Sequence, residues 1–114
     1  MIKLYLDDIR SPCYDGFVVV RSVKEAINFV LENGMPDFIS FDHDLGCSYD
    51  GQIYPSGYDF AKWLVEADIS GAVDISDDFS FAVHSQNPVG AKNIEALLSG
   101  YLLFRREERA AKTL

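Results

Sequence analysis

Four short apolar runs, Ile2–Leu6, Phe17–Val20, Phe38–Phe41 and Phe79–Val83, constrain this chain more than any other feature. Nearly continuous runs of this length read as strands buried in a parallel sheet, not as amphipathic helices. The segments between them carry helical signals. Ser22 is a good N-cap and Glu25, three residues on, completes a capping box. Ala26, Ile27, Val30 and Leu31 then follow helical spacing up to Gly34. Tyr58 to Ala67 forms a second helix, with Phe60, Ala61, Trp63 and Leu64 facing the core. Pro88 permits a third to begin, and Ile94, Leu97, Leu98, Tyr101 and Leu102 give it an apolar stripe. Strand, strand, helix, strand, helix, strand, helix is an α/β pattern with a mainly parallel sheet. The first connection is short. About nine residues separate Asp7 from Phe17, too few for a helical crossover. An extended chain of that length spans roughly 30 Å, enough to return alongside the first strand without a helix.

The strand ends carry the chemistry. Asp7-Asp8 closes the first run, Asp42-His43-Asp44 the third, and His84-Ser85-Gln86-Asn87-Pro88 the fourth. Open α/β sheets bind ligands in the crevice beyond the carboxyl ends of their strands. Clustered carboxylates repel unless a cation or a proton lies between them. Asp7, Asp8, Asp42 and Asp44 are therefore candidate ligands for a hard cation, magnesium or manganese, with capping and Asx turns as the alternative for the acid pair. His84, ending a buried strand beside Ser85 and Asn87, is the candidate acid-base group, against a structural role as a buried hydrogen-bonder. His43 and Asp42 complete the catalytic candidates, although His43 between two acids also suits a plain charge partner. Arg10, Ser85, Asn87 and Lys92 are candidate phosphate contacts, the last three near a helix start that attracts anions. For Arg10 an ion pair with one of the nearby carboxylates is an equal alternative. In the long loop Leu45–Gly57, Tyr49 and Tyr54 are placed to stack on a base, to cover the crevice or simply to pack.

Composition narrows the partners. A chain of 114 residues is one domain, and its 48% hydrophobic content supports a packed core. The net charge of -8 argues against broad contact with duplex nucleic acid, which needs clustered Lys and Arg. A small nucleotide or a single phosphorylated RNA terminus stays compatible. Cys13 and Cys47 have no ligand-like spacing and suit free thiols in a reducing compartment. With no signal-like N-terminus and no long apolar stretch, the expectation is a soluble, cytoplasmic protein. The whole chain, 1–114, reads as one domain with a charged C-terminal tail over 105–114.

From Phe17 to Leu64 the chain resembles a response-regulator receiver domain. The paired acids Asp7 and Asp8 match the receiver's magnesium ligands, Asp42 its phospho-accepting aspartate, and Ser85 its Ser or Thr. A closer resemblance covers nearly the whole chain, to the cyclic-phosphate processing receiver-like family. It rests on Leu6-Asp7-Asp8-Ile9-Arg10-Ser11-Pro12, Ser40-Phe41-Asp42-His43-Asp44-Leu45-Gly46, Gly57-Tyr58-Asp59 and His84-Ser85-Gln86-Asn87-Pro88. The resemblance implies a flavodoxin-like, three-layer α/β sandwich with a short, mainly parallel four-stranded sheet. The receiver's first helix and its fifth strand, with the strand's lysine, are missing. It also implies a metal-dependent phosphoesterase acting on a cyclic phosphate, on an RNA end (as in RNA repair) or on a nucleotide or ADP-ribose derivative. Two other functions suit the same residues: a non-catalytic nucleotide- or phosphate-binding module, and an atypical phospho-accepting receiver.

Overall fold

A computed structural model of the chain describes residues 1–112. Its elements are β1 (Lys3–Leu6), β2 (Phe17–Val20), α1 (Val23–Asn33), β3 (Phe38–Phe41), α2 (Gly57–Ser70), β4 (Ser80–Val83) and α3 (Pro88–Lys112). The four strands form one sheet in the order β2-β1-β3-β4, and every pairing is parallel. The β1–β2 connection contains no helix, as the short spacing required. Leu6 is in register with Val20 and Phe41, and Phe41 with Val83, so all four strands end together. The segments that follow β1, β3 and β4 therefore leave from one edge.

The sheet is covered on one face, which corrects the three layers expected from the sequence. Both helical crossovers, β2-α1-β3 and β3-α2-β4, move in the same direction across the sheet. Right-handed crossovers that advance in one direction place their helices on the same face. α3 then packs beside α2. Register agrees with this. Leu4, Leu6, Ile39 and Phe41 are fully buried against Ala26, Val30, Phe60, Ala61, Leu64, Ile94 and Leu98. The alternate positions Lys3, Tyr5, Phe17, Val19 and Phe38 point the other way and are only part-buried. There Tyr5 and Phe38 each meet Phe17 edge-on, and the Lys3 ammonium lies over the Phe17 ring. The short first connection supplies no helix to that other face.

Two helix starts hold the functional edge. At α1 the Ser22 hydroxyl accepts from the Glu25 N–H, but the Glu25 carboxylate takes the N–H of Arg21, not of Ser22. The capping box expected there is thus shifted by one residue on its return arm. A complete box occurs at α2 instead, between Ser56 and Asp59. α3 runs on through Lys112, so the expected charged tail is helical as far as it is described, and 113–114 lie outside the described residues. Arg105, at the start of that tail, is buried and lies 3.5 Å from Asp68 and 3.6 Å from Asp77. Tyr101 donates its hydroxyl to Asp68, and burial together with that carboxylate pushes the phenol up to about 12. These bonds tie α3 to the end of α2 and to the loop before β4. Among the described residues no helix is long and apolar enough to cross a membrane.

Candidate functional site

Asp7 is the first residue past β1, and its side chain is almost wholly buried. One carboxylate oxygen accepts the N–H groups of Ile9 (2.9 Å) and Arg10 (2.7 Å). The other accepts the Arg10 guanidinium Nε (2.9 Å) and His84 Nε2 (3.0 Å). Burial alone would raise the Asp7 carboxyl, but the two backbone N–H groups, His84 and Arg10 together hold it below the usual carboxylate value. The loop it organises is clamped from outside by Arg21, which donates to the Asp7 carbonyl (3.2 Å) and the Arg10 carbonyl (2.5 Å).

The sign of the Asp7 shift sets a pH expectation. A carboxyl whose pKa is depressed in the folded state stabilises the fold above its unfolded pKa, near 4. That stabilisation is lost as pH falls below about 4 and through the lowered folded value. Acid unfolding followed by circular dichroism should therefore steepen below about pH 4. Asp7→Asn should flatten that dependence while lowering stability at neutral pH. An unchanged acid limb in the variant would remove Asp7 from this role.

His84 follows β4 and is fixed on both ring nitrogens. Its Nε2–H donates to Asp7, which leaves Nδ1 as the acceptor for the Ser40 hydroxyl at 2.7 Å. Its ring stacks on Tyr5 with centroids 4.3 Å apart and planes 6° from parallel. Neither nitrogen is left for a ligand. His84 orients Asp7, and through it Arg10. Tyr5 and Ser40 were not among the sequence candidates: Tyr5 lies inside a strand, and Ser40, although it opens a motif, precedes the polar residues that close its strand.

Asp42 is buried at the end of β3. One of its oxygens accepts the His43 N–H at 2.8 Å and lies 3.5 Å from the Arg10 guanidinium. Burial raises its pKa, and the negative charge of Asp7 raises it further, with His43 N–H and Arg10 opposing. Two neighbouring carboxyls are thereby driven apart, one firmly ionised and one with a strengthened hold on its proton. Asp42, Arg10, Asp44, Ser85, Gln86 and Asn87 line an open polar recess of about 210 Å³. Gln86, a lining residue outside the sequence candidates, comes from the same segment as Ser85 and Asn87.

His43 and Asp44 form a second pair. His43 Nδ1–H donates to Asp44 at 2.8 Å, so Nε2 carries the free lone pair in the neutral ring. The Asp44 carboxyl lies below its usual value because of that bond, with help from Asn87. The Asn87 amide donates to both Asp44 oxygens at 3.3 and 3.4 Å, while its carbonyl oxygen caps α3 by accepting the Gly90 N–H. Gly90 has no room for a side chain, since a Cβ there would lie 2.3 Å from the His43 ring. Ser85 accepts the Asn87 N–H and faces the recess. Lys92 is exposed and is not part of the recess lining. Tyr49 is fully exposed, whereas Tyr54 lines a second recess beside the first.

The structure thus gathers Arg10, Asp42, Asp44, Ser85 and Asn87 around one recess, with Asp7 and His84 behind them. As a metal centre the set is a poor match. Asp7, Asp42 and His84 each offer one ligand atom within 4.8 Å of the others. Yet both Asp7 oxygens already accept two hydrogen bonds each, and Arg10 holds the space between Asp7 and Asp42. Asp8 turns away towards Gly46, and Asp44 is held by His43 and Asn87. Magnesium demands near-octahedral oxygen ligands. These residues, as placed, fit a guanidinium and not a resident divalent ion.

A parallel α/β sheet with acids at the ends of β1 and β3 and a hydroxyl at the end of β4 defines a receiver-like domain. The chain belongs, more narrowly, to the cyclic-phosphate processing receiver domains, whose family model matches residues 2–100. No curated protein and no solved structure matches it significantly.

Proposed function

We propose that this domain is a phosphoesterase that opens a cyclic phosphate carried on a nucleotide or an RNA end. One observation carries the reading: a buried carboxyl with a raised pKa, Asp42, faces the same small recess as a guanidinium, a hydroxyl and an amide. Arg10 is pre-aimed by Asp7 and retains free N–H groups for a phosphoryl oxygen. Ser85, whose hydroxyl accepts the Asn87 N–H and keeps its own O–H, supplies a further donor just before α3. Asp42 takes a proton from water as the water oxygen bonds to phosphorus. The bond from phosphorus to one ring ester oxygen breaks, and that oxygen takes the Nε2 proton of the imidazolium form of His43, with Asp44 orienting the ring through Nδ1–H. The product is a phosphomonoester with a free vicinal hydroxyl, and solvent exchange resets both groups. Asp42 lines the polar recess and His43 the adjoining one, with Asp44 shared between them.

The test is turnover on 2′,3′-cyclic nucleotides, cyclic-ended RNA and an ADP-ribose cyclic phosphate, with and without a chelator. Ring opening that persists in the chelator is the expected result. A rate that the chelator abolishes and magnesium restores would return Asp7 and Asp42 to a ligand role and overturn the metal-free step. Binding without turnover across the panel would replace the enzyme by a sequestering or sensing module.

A further inference from the structure

We infer that the apolar recess beside the polar one is the seat of the substrate's nucleobase, which makes the ligand a nucleoside cyclic phosphate with a single phosphate. This rests on the phosphate site described above and extends it. The second recess, of about 420 Å³, is walled by Leu45, Gly46, Ile53 and Tyr54, with His43 and Asp44 on its inner side. Asp44 lines both recesses, so they adjoin across one carboxylate. A ligand with its phosphate at Arg10 and Ser85 has its sugar at Asp44 and its remaining bulk in the apolar space.

The loop is built to keep that space open. Cys47 and Ile53 form an isolated antiparallel bridge, and the Tyr54 N–H donates to the Gly46 carbonyl at 3.1 Å. These bonds fold the segment back on itself and set Ile53 and Tyr54 beside Leu45. Gly46 has a φ of +91°, which a residue with a side chain rarely adopts, and a Cβ there would lie 3.2 Å from Asp8 and 3.8 Å from the Tyr54 ring. Leu45 is buried, yet Ile53 and Tyr54 remain exposed at 82% and 49%. An exposed aromatic and two aliphatic side chains at the mouth of a phosphate site present a stacking surface that any base can use.

Charge limits the rest of the ligand. Among the described residues Arg10 is the one guanidinium or ammonium in the lining of either recess, and Asp42 and Asp44 line the polar one beside it. A second phosphate group would meet carboxylates with no countercharge. A mononucleotide 2′,3′-cyclic phosphate satisfies the site, and a pyrophosphate-bearing derivative does not.

Calorimetric binding to the full chain tests this with adenosine and cytidine 2′,3′-cyclic phosphate, base-free glycerol 1,2-cyclic phosphate and an ADP-ribose cyclic phosphate. The nucleoside ligands should bind about tenfold more tightly than the base-free one. Tyr54→Ala should remove that advantage and leave the base-free affinity unchanged, and Tyr54→Phe should retain it. Ile53→Ser, on an exposed position, should weaken nucleoside binding in the same selective way. Equal affinity for nucleoside and base-free ligands in the wild type, or an equal loss of both in Tyr54→Ala, overturns the base seat and leaves the phosphate site standing. Preferred binding of the pyrophosphate ligand overturns the single-phosphate assignment. Failure of every cyclic phosphate to bind overturns the phosphate site itself.

Discussion

Asp42→Asn is expected to lower kcat by about 10²- to 10³-fold while the fold stays intact. The amide keeps the shape of the carboxylate and can still accept the His43 N–H, but it cannot take a proton from water. Because burial and the charge of Asp7 disfavour the ionised form of Asp42, a neutral side chain at this position relieves repulsion. The melting temperature of the variant should therefore equal or exceed that of the wild type. The pH profile gives a second readout. A general base works only when deprotonated, so the acid limb of kcat should lie above the ordinary carboxylate range and vanish in the variant. A variant with near-normal kcat would remove Asp42 from the chemistry. Full turnover loss with a collapsed fold would instead make it a structural residue.

Gly57→Ala is expected to destabilise the domain by about 3 kcal/mol, at the upper end of overpacking effects. For a chain of this size that is a fall in melting temperature on the order of 10 °C. A Cβ at Gly57 would fall 1.8 Å from the carbonyl oxygen of Asp42 and 3.3 Å from the Cα of His43. The obstruction is backbone, so no rotamer change relieves it. The same contact includes the Gly57 N–H, which donates to the His43 carbonyl at 2.8 Å. Alanine there should push α2 away from the end of β3 and take the Asp42-His43-Asp44 segment with it. Thermal unfolding and ligand affinity should thus fall together. A melting temperature within 2–3 °C of the wild type, below the effect of about 1 kcal/mol, would show that the helix start can shift without harm.

The resemblance to cyclic-phosphate processing receivers could be stated from four motifs in order, and the matching family model covers residues 2–100. The motifs named the right strand ends because parallel strands in register deliver every β-to-α exit to one edge. They did not separate Asp7 from Asp8. Consecutive residues after a strand point apart, and only the loop's fold decides that Asp7 turns inward to Arg10 and His84 while Asp8 faces Gly46. Nor did they pair His84 with Ser40 and Asp7, which occupy both its ring nitrogens, or with the Tyr5 ring stacked on it, since all three are distant from it in sequence. The sequence alone led to a metal centre by counting carboxylates. The arrangement in space assigns their countercharge to Arg10 instead.

By itself the sequence determined the order of elements, the parallel sheet, the helix-less first crossover and the edge at which the site lies. Those follow from local apolar periodicity, from capping and turn residues, and from the length of chain between strands. Tertiary structure alone decided that all three helices share one face, that Asp42 and not Asp7 carries the raised pKa, and that the long loop forms an apolar recess next to a polar one. Each of these depends on which groups from separate segments come within a few ångströms of each other, and hydrogen bonding, desolvation and charge repulsion act only at that range.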